Sequence, residues 1–373
     1  MIIGIPKEVK DHEYRVAATP EGVREAVGQG HRVVVQQDAG VGSAIADDDF
    51  VAAGAEILPD ADAVFAADLI VKVKEPQPVE YARFREGQLL FTYLHLAADG
   101  PLTRFLAERR VRAVAYETVM LPDGRLPLLA PMSEIAGRMA PQEGAAALER
   151  PRGGRGVLMG GASGVAPANV VVLGAGMAGA NAAQIAAGME ADVTVVDRNV
   201  DRLRDIDRVW RGRIHTVMSS TLAIEHLVLG ADLVVGAVLV PGAKAPHLVT
   251  ADLVSRMQPG AVLVDISIDQ GGCFETSHVT THSDPTYLVD GVVHYCVGNM
   301  PGAVPRTSTY ALTNVTWPYV LHIAGQGLEA AVAADPALAL GVNVWDGAIT
   351  NAGVAAAHAL EASPLASVVA GLG

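Results

Sequence analysis

Short runs of apolar residues alternate with longer segments of mixed polarity along most of the chain. In the first third, residues 2–6, 32–36, 68–74, 88–94 and 111–116 are rich in Val, Ile and Leu, which is typical of buried strands. Segments with helical patterns separate these runs. Strands and helices that alternate at this spacing predict a parallel sheet with helices packed against it.

Three helices have recognisable features. Thr19 is a suitable N-cap for a helix over residues 20–29, whose first position is a proline, and a second helix begins at the acidic run 47–49. A stiff crossover at 126–131 precedes a third helix over 132–150. Because Pro141 lies inside that helix and lacks an amide hydrogen, we expect a kink there.

Six further strands are predicted between residues 167 and 305, the number found in a complete Rossmann fold. After Pro305 no strand is predicted, and residues 309–325 and 328–334 have helical patterns. We therefore expect the last segment to pack back onto the first domain. The six predicted strands are residues 170–173, 192–196, 213–218, 232–239, 261–268 and 292–297.

Together these elements predict an α/β protein with two Rossmann-like, doubly wound parallel-sheet domains and a cleft between them. The first domain combines residues 1–130 with 306–373 and is expected to carry the substrate and the catalytic groups. The second domain, residues 131–305, is inserted into the first and is expected to bind the dinucleotide NAD.

The NAD prediction depends on a glycine-rich turn. The apolar run 170–173 is followed by Gly174, Gly176 and Gly179 in the spacing G-x-G-x-x-G, and then by an Ala-rich helical pattern. That order is typical of a pyrophosphate bound at a helix N-terminus. Asp197 ends the next predicted strand, where its carboxylate can bind both ribose hydroxyls and repels a 2′-phosphate, which favours NAD over NADP. The alternative is an ordinary α/β turn without a ligand.

The carboxyl ends of the predicted strands carry charged and titratable residues. Arg15, Lys74 and His95 fall on one edge of the first predicted sheet, where an Arg and a Lys can hold a small carboxylate and a His can transfer protons. Asp269 ends a strand of the second sheet, before two glycines. The alternatives are a solvated loop charge for Arg15, a strand cap beside Glu75 for Lys74, a core position for His95 and a turn-forming role for Asp269.

Composition limits the possible partners. The chain has 373 residues and a net charge of −14, which argues against nucleic-acid binding. Its two cysteines form no disulfide framework and its N-terminus does not resemble a signal peptide, so we expect reduced thiols and a cytoplasmic location. Residues 156–189 lack charge, but they contain seven glycines between Gly160 and Gly188. A buried strand, turn and helix explain that segment better than a membrane span.

The sequence also resembles the bacterial alanine dehydrogenases over essentially its full length. The wider family includes the NAD-binding part of proton-pumping transhydrogenase and the saccharopine dehydrogenases. The segments that carry the resemblance are GIPKE at 4–8, EYRV at 13–16, KVKEP at 72–76, LHLA at 94–97, LAPMSE at 129–134, GAVLVPG at 236–242, DISIDQGGC at 265–273 and STYALTN at 308–314.

The resemblance implies reversible oxidative deamination of L-alanine by NAD to pyruvate and ammonium, by a homohexamer. It implies that Arg15 and Lys74 bind the substrate, that His95 is the acid–base residue and that Asp269 is a catalytic aspartate. The positions that match cofactor contacts in the family are Ser133, Gly174, Gly176, Gly179, Asp197, Arg202, Ser219, Val238, Leu239, Ile266, Asp269, Val297, Asn299 and Met300.

Two positions depart from the family pattern. Some members bind a metal ion through a glutamate and a histidine. In this chain Glu117 is present, but Gln326 occupies the position of the histidine, so no metal is predicted. Pro141 is unusual in the helix after Ser133. The alternative functions are a related enzyme, of the saccharopine or transhydrogenase type, and a catalytically silent NAD-binding regulatory protein.

Overall fold

The computed structural model describes residues 1–238 and 245–369. These residues form two compact units. The first contains Met1–Met132 and the segment that begins at Gly302, and the second contains Ser133–Pro301. Both units are built from strands and helices that alternate along the chain, as the hydrophobic pattern predicts.

The strands are β1 (Ile2–Ile5), β2 (Arg32–Gln36), β3 (Glu56–Leu58), β4 (Leu69–Val71), β5 (Leu89–Thr92), β6 (Arg112–Ala115), β7 (Asn169–Leu173), β8 (Asp192–Asp197), β9 (Ile214–Met218), β10 (Leu233–Gly236), β11 (Val262–Asp265), β12 (Thr286–Val289), β13 (Val292–Tyr295), β14 (Val342–Trp345) and β15 (Ala348–Ile349). The α-helices are α1 (Pro20–Gly28), α2 (Asp47–Ala53), α3 (Ala61–Phe65), α4 (Gly100–Glu108), α5 (Ala130–Ala147), α6 (Met177–Gly188), α7 (Val200–Trp210), α8 (Thr221–Gly230), α9 (Ala251–Ser255), α10 (Pro305–Gln326), α11 (Leu328–Ala334), α12 (Pro336–Gly341), α13 (Ala352–Ala357) and α14 (Leu365–Val368).

In the first unit, the described strands form one sheet in the order β15-β14-β6-β5-β4-β1-β2-β3. Strands β1 to β6 are parallel, and their central members are buried on both faces. The chain moves outward from β1 to β3, then returns to the other side of β1 with β4. The direction therefore reverses between β1 and β4, and open parallel sheets bind ligands beyond the strand ends at such a point.

The segment after Pro305 does contain strands, so the prediction of helices alone was wrong there. β14 pairs antiparallel with β6, and β15 pairs antiparallel with β14. Asp346 and Gly347 join β14 to β15, and both have a positive φ (47° and 102°), as a type I′ hairpin turn requires. The Arg112 guanidinium on β6 binds both carboxylate oxygens of Asp346 at 2.8 Å, which fixes the hairpin at the sheet edge.

The second unit carries the glycine-rich turn. Its described strands form a sheet in the order β12-β13-β11-β10-β7-β8-β9. The six predicted strands are present and parallel, but β12 is an additional antiparallel strand joined to β13 through Asp290-Gly291. Each sheet is thus mixed rather than purely parallel, because each ends in a hairpin. The direction reverses between β7 and β10.

Several elements are shorter or longer than predicted. Strand β11 ends at Asp265, and residues Ile266–Gln270 form a 3-10 helix where the sequence predicts continued strand. Strand β10 ends at Gly236 rather than at residue 239. Helix α5 begins at Ala130 and ends at Ala147, and it contains Pro141 within its length. In the residues that the structure describes, no helix combines the length and apolar character needed to span a membrane.

Candidate active site

Charged side chains gather at the carboxyl ends of β1, β4, β5 and β6 in the first unit. Arg15 is almost completely buried, with 2% of its surface exposed, and its Nε and Nη2 donate to the two carboxylate oxygens of Glu13 at 2.6 and 2.5 Å. Burial by itself lowers the pKa of Arg15, but the ion pair with Glu13 outweighs it and raises the pKa. Glu13 therefore fixes one edge of the guanidinium, while Nη1 faces the sulfur of Met132 at 3.0 Å.

Lys74 follows β4 and has a well-fixed backbone. Its N–H donates to the Glu8 carboxylate at 3.4 Å, and its carbonyl accepts from the Thr92 hydroxyl at 2.9 Å. The neighbouring Val73 N–H donates to the same oxygen of Glu8 at 2.6 Å. The Lys74 side chain is buried, and a lysine is almost never fully buried unless it is paired.

Glu75 connects this lysine segment to His95. One Glu75 oxygen contacts the Lys10 ammonium group, and the other lies 3.6 Å from His95 Nδ1. Burial alone raises the pKa of Glu75, but the His95 imidazole and the ammonium groups of Lys74 and Lys10 outweigh it and lower the pKa far below its usual range. Glu75 is therefore a carboxylate in the working protein and presents negative charge to the imidazole.

His95 lies beyond β5 and adopts a left-handed backbone conformation, with φ 51° and ψ 34°. Such a conformation is uncommon outside glycine and is kept where surrounding groups hold it. Here the Glu117 carboxylate accepts the His95 N–H at 2.6 Å and the Leu94 N–H at 3.2 Å. The following carbonyl, of Leu96, accepts from the Thr103 hydroxyl at 3.0 Å and lies 2.6 Å from His358 Nε2.

The His95 side chain is 43% exposed, so it is accessible to a substrate while its backbone is fixed. Its ring packs at 5.9 Å from that of Tyr93, whose hydroxyl donates to the Leu128 carbonyl. Burial raises the pKa of Tyr93 well above its usual value, so Tyr93 stays neutral. These strand ends thus carry an accessible imidazole and the buried side chains of Arg15 and Lys74, residue types that can move protons and bind a carboxylate.

In the second unit, the glycine turn leads from β7 into α6. Gly174 has a φ of +108°, and a Cβ built on Gly179 would lie 1.8 Å from the Gly174 carbonyl oxygen. A Cβ on Gly176 would meet Arg202 Nη1 at 3.8 Å, with no closer neighbour, so this glycine leaves the start of α6 accessible. The first turn of α6 therefore offers backbone N–H groups to an anion, and these residues fit a dinucleotide pyrophosphate.

Asp197 ends β8 as predicted and is buried beside this turn. One carboxylate oxygen accepts the Ala175 N–H at 2.6 Å and the other accepts the Asn199 N–H at 2.7 Å. Arg202 Nη1 lies 3.9 Å from the same carboxylate. Ser219 donates its N–H to the Asp197 carbonyl at 2.9 Å, so the ends of β8 and β9 are joined at this edge.

Asp269 lies in the 3-10 helix after β11 and is exposed. Its carboxylate accepts the Asn299 N–H at 3.3 Å, and Asn299 itself has a positive φ of 59°. The turn is supported from below by the fully buried Asp265, which accepts from the Ser277 hydroxyl at 2.6 Å and the Cys273 N–H at 2.9 Å. Burial raises the pKa of Asp265, although these hydrogen bonds lower it in part.

Family models match almost the whole chain. A model described as alanine dehydrogenase/PNT, N-terminal domain, matches residues 4–136. A model described as alanine dehydrogenase/PNT, C-terminal domain, matches residues 140–352. The chain belongs to the alanine dehydrogenase/PNT family.

Individual members of the alanine dehydrogenase/PNT family are similar over their full length. The chain is 60% identical to an alanine dehydrogenase from Mycolicibacterium smegmatis over 95% of this chain and 96% of that protein. It is 55% identical to an alanine dehydrogenase from Halomonas elongata over 99% and 100%. A solved L-alanine dehydrogenase structure superposes with a TM-score of 0.93 at 51% identity, covering 96% of this chain and 99% of that one.

A transhydrogenase structure from Sinorhizobium meliloti shares the fold, with a TM-score of 0.80, 23% identity, and coverage of 94% and 99%. This match supports the two-domain α/β fold of the family.

The structure brings the predicted residues of each unit together at sheet edges. Arg15, Lys74 and His95 lie beyond the ends of β1, β4 and β5, the residues of the glycine turn lie beside Asp197, and Asp269 lies beside Asn299. Leu239 lies outside the described residues. Of the remaining predicted cofactor contacts, Ser133 is half-buried in α5, Val238 and Ile266 are half-buried, and Val297 and Met300 are buried.

Sequence reasoning missed the carboxylates that hold these residues in place. Glu13 orients Arg15, Glu8 binds the backbone of Lys74, and Glu117 binds the backbone of His95. Glu8 and Glu13 lie beyond β1, and Glu117 lies beyond β6. Acidic residues in the GIPKE and EYRV segments were a usable signal, since a buried arginine or lysine requires a partner.

Gln326 Nε2 lies 3.1 Å from the His322 ring.

Proposed function

We propose that the protein catalyses the NAD-dependent, reversible oxidative deamination of L-alanine to pyruvate and ammonium. The observation that carries this proposal is the 60% identity to an alanine dehydrogenase over 95% of the chain. At this similarity the charged residues of the first unit and the glycine turn of the second occur in the sequence segments typical of that enzyme family. Family membership supports an amino-acid dehydrogenase with a nicotinamide cofactor.

In this proposal the first unit binds the amino acid. Arg15, oriented by Glu13, binds the substrate carboxylate, and the Lys74 ammonium group binds the carbonyl oxygen of pyruvate. His95 accepts a proton when water adds to the iminium form of the substrate, and returns a proton when ammonia leaves. The Glu75 carboxylate lies 3.6 Å from His95 Nδ1 and presents a negative charge to the imidazole.

The second unit binds the cofactor. When bound, the nicotinamide ring accepts a hydride from the alanine Cα. Gly174, Gly176 and Gly179 hold the pyrophosphate at the start of α6, and Asp197 binds the adenosine ribose. Asp269 stabilises the positive charge of the iminium form of the substrate.

NAD rather than NADP is proposed because of Asp197. A carboxylate at the end of β8 repels a 2′-phosphate, while its two oxygens accept hydrogen bonds from ribose hydroxyls. In the present structure those oxygens accept the N–H groups of Ala175 and Asn199, which directs them to the glycine turn. We also propose, on the family resemblance alone, that the protein is a homohexamer in the cytoplasm.

The deciding experiment is an assay of NADH consumption with pyruvate and ammonium. We expect activity that requires both, weak or no activity with NADPH, and alanine as the product. A panel that replaces pyruvate with glyoxylate, 2-oxoglutarate and larger 2-oxo acids separates this enzyme from a saccharopine-type relative. Tight NADH binding without turnover of any substrate in the panel would instead favour the silent regulatory protein.

A further inference from the structure

The first unit contains a buried cluster of three ionisable groups that have no role in the proposed reaction. The Lys72 side chain is completely buried, and its ammonium group donates to Glu8 and to Glu80, both at 2.9 Å. The two carboxylate side chains are each only 2% exposed. Burial raises the pKa of Glu8, while Lys72 partly offsets that effect.

Such a cluster is not explained by stability. Ionic groups lose their hydration when they are buried, and an apolar trio of the same volume is often as stable or more so. A buried ion pair is therefore better explained by what its polar atoms position. Each glutamate has a second carboxylate oxygen that does not bind Lys72, and these second oxygens contact backbone N–H groups.

The two glutamates differ in that respect. Glu8 uses its other oxygen to accept the N–H groups of Val73 and Lys74, at 2.6 and 3.4 Å. Glu80 uses its other oxygen to accept the Gln77 N–H at 2.8 Å, which begins the 3-10 helix Pro78–Arg83. Both glutamates lose the same ammonium partner if Lys72 is removed, but only the Glu8 contacts reach the residue proposed to bind the substrate.

Strand β4 ends at Val71, and beyond it the backbone keeps two bonds to the β5 side, from the Lys72 N–H to the Phe91 carbonyl and from the Tyr93 N–H to the Val73 carbonyl. The N–H groups of Val73 and Lys74 are instead accepted by the Glu8 carboxylate, and the Thr92 hydroxyl donates to the Lys74 carbonyl. A charged acceptor binds an N–H group about twice as strongly as a neutral one, and displacement of a substrate-binding group by 1 Å can reduce a rate about 100-fold.

We propose that Glu8 is a positioning residue for Lys74, with the buried Lys72 as its counter-ion. The Glu8 carboxylate fixes the Val73–Lys74 backbone to the end of β1, and thereby sets the place of the Lys74 ammonium group at the substrate carbonyl. This inference rests on the proposed function, in which Lys74 binds pyruvate. Glu80 also binds Lys72, but its other oxygen accepts the Gln77 N–H and not the Lys74 backbone.

The test compares Glu8→Gln with its matched control Glu80→Gln. Both replacements keep the side-chain shape and remove one charge beside Lys72. We expect Glu8→Gln to raise the KM for pyruvate about tenfold or more, with an unchanged KM for NADH, and Glu80→Gln to change the KM for pyruvate less than twofold. Equal effects of the two variants on KM would overturn the proposal, since a merely structural cluster treats them alike.

A second measurement does not depend on activity. Amide hydrogen exchange, read by mass spectrometry on a peptide that spans residues 70–77, should be faster in Glu8→Gln at Val73 and Lys74, and faster in Glu80→Gln at Gln77. If the wild type shows no activity with pyruvate and ammonium, the proposed function fails, while the exchange data still decide whether Glu8 anchors this backbone. Unchanged exchange at Val73 and Lys74 would refute the anchoring.

Should Glu8→Gln fail to fold, Glu8→Asp and Glu80→Asp provide the same comparison with the charge retained. The shorter Asp keeps a negative group near Lys72 but cannot reach both the ammonium and the backbone. We expect Glu8→Asp to raise the KM for pyruvate at least fivefold more than Glu80→Asp. If both Glu8 variants fail to fold while both Glu80 variants fold, Glu8 is a structural residue and the proposal is wrong.

Discussion

The two sheets share one strand order but use their strand ends in opposite ways. If the six parallel strands of each sheet are numbered along the chain, both sheets read 3-2-1-4-5-6, and both reverse direction beside their first strand. In the second sheet the loop after that strand is a glycine turn that begins α6, and the Asp197 carboxylate accepts one of its N–H groups, that of Ala175. In the first sheet the corresponding loop carries charged side chains, and its Glu8 carboxylate accepts the N–H groups of Val73 and Lys74 beyond β4.

In the proposed function this difference lets one topology serve two tasks. Backbone N–H groups at the start of a helix can hold the cofactor pyrophosphate. The loops of the first sheet carry Arg15, Lys74 and His95, which are proposed to bind and convert the amino acid. Substitutions at the strand ends of the first sheet should therefore lower turnover, and substitutions in the glycine turn should weaken cofactor binding.

The largest effect is expected at the first sheet. His95→Ala should lower kcat by a factor of roughly 100 to 10,000, because the group that transfers protons is lost, while the Kd for NADH stays unchanged. Steady-state rates and fluorescence titration with NADH measure the two quantities. His215→Ala, an exposed histidine of the second unit, is the control. Near-normal turnover in His95→Ala would remove His95 from its proposed role.

The second prediction concerns the glycine turn. Gly179→Ala places a Cβ 1.8 Å from the Gly174 carbonyl, so the turn must open, and we expect NADH binding to weaken about 100-fold. Gly188→Ala, in the same helix and with nothing within 4 Å of the added Cβ, is the matched control and should bind NADH normally. Equal NADH affinities in the two variants would mean that this turn does not hold the cofactor.

A smaller effect is expected at Asp197. Asp197→Ala removes the acceptor proposed for the ribose hydroxyls, so NADH binding should weaken about tenfold and discrimination against NADPH should fall. Competition titrations with both cofactors give the ratio of affinities. Asp192→Ala tests an exposed aspartate of the same strand and should leave the ratio unchanged. A cofactor preference that survives Asp197→Ala would contradict the ribose assignment.

The smallest effect is on acid stability. The pKa of Glu75 is lowered in the folded protein relative to its ordinary value of 4.5, so its stabilising contribution is complete above about pH 5. That contribution is lost as the pH falls through 4.5 towards the folded-state pKa. Between pH 6 and pH 3 the free energy of unfolding, measured with urea, should fall by about 1 kcal/mol less in Glu75→Gln than in the wild type. The exposed Glu86→Gln should lose as much as the wild type, and an equal loss in Glu75→Gln would exclude the predicted stabilisation.

The sequence could predict the parallel strands because their Val- and Ile-rich runs are buried on both faces in any α/β fold. It could predict Asp197 at a strand end because the glycine turn fixes the distance to the next strand. The supporting carboxylates Glu8, Glu13 and Glu117 could not be assigned in the same way, since a single glutamate shows its partner only once the strands are ordered. Asp269 was expected at a strand end, but a buried Asp265 ends β11 and begins a 3-10 helix.

The two additional hairpins were predictable from the sequence. Asp290-Gly291 and Asp346-Gly347 each separate two short apolar runs, and Asp-Gly is among the strongest signals for a two-residue hairpin. The run 342–345 is short and contains Asn343, and no strand is predicted after Pro305. In the structure all four residues of β14 are buried, and pairing with β6 provides the reason.

The β14–β15 hairpin has a consequence for the order in which the protein is made. Strand β6 leaves the ribosome early, but its partner β14 is synthesised only after the whole second unit has followed. Until then β6 has an open hydrogen-bonding edge, the kind of surface at which nascent chains pair with one another. A chain interrupted before Val342 lacks the strand that covers this edge.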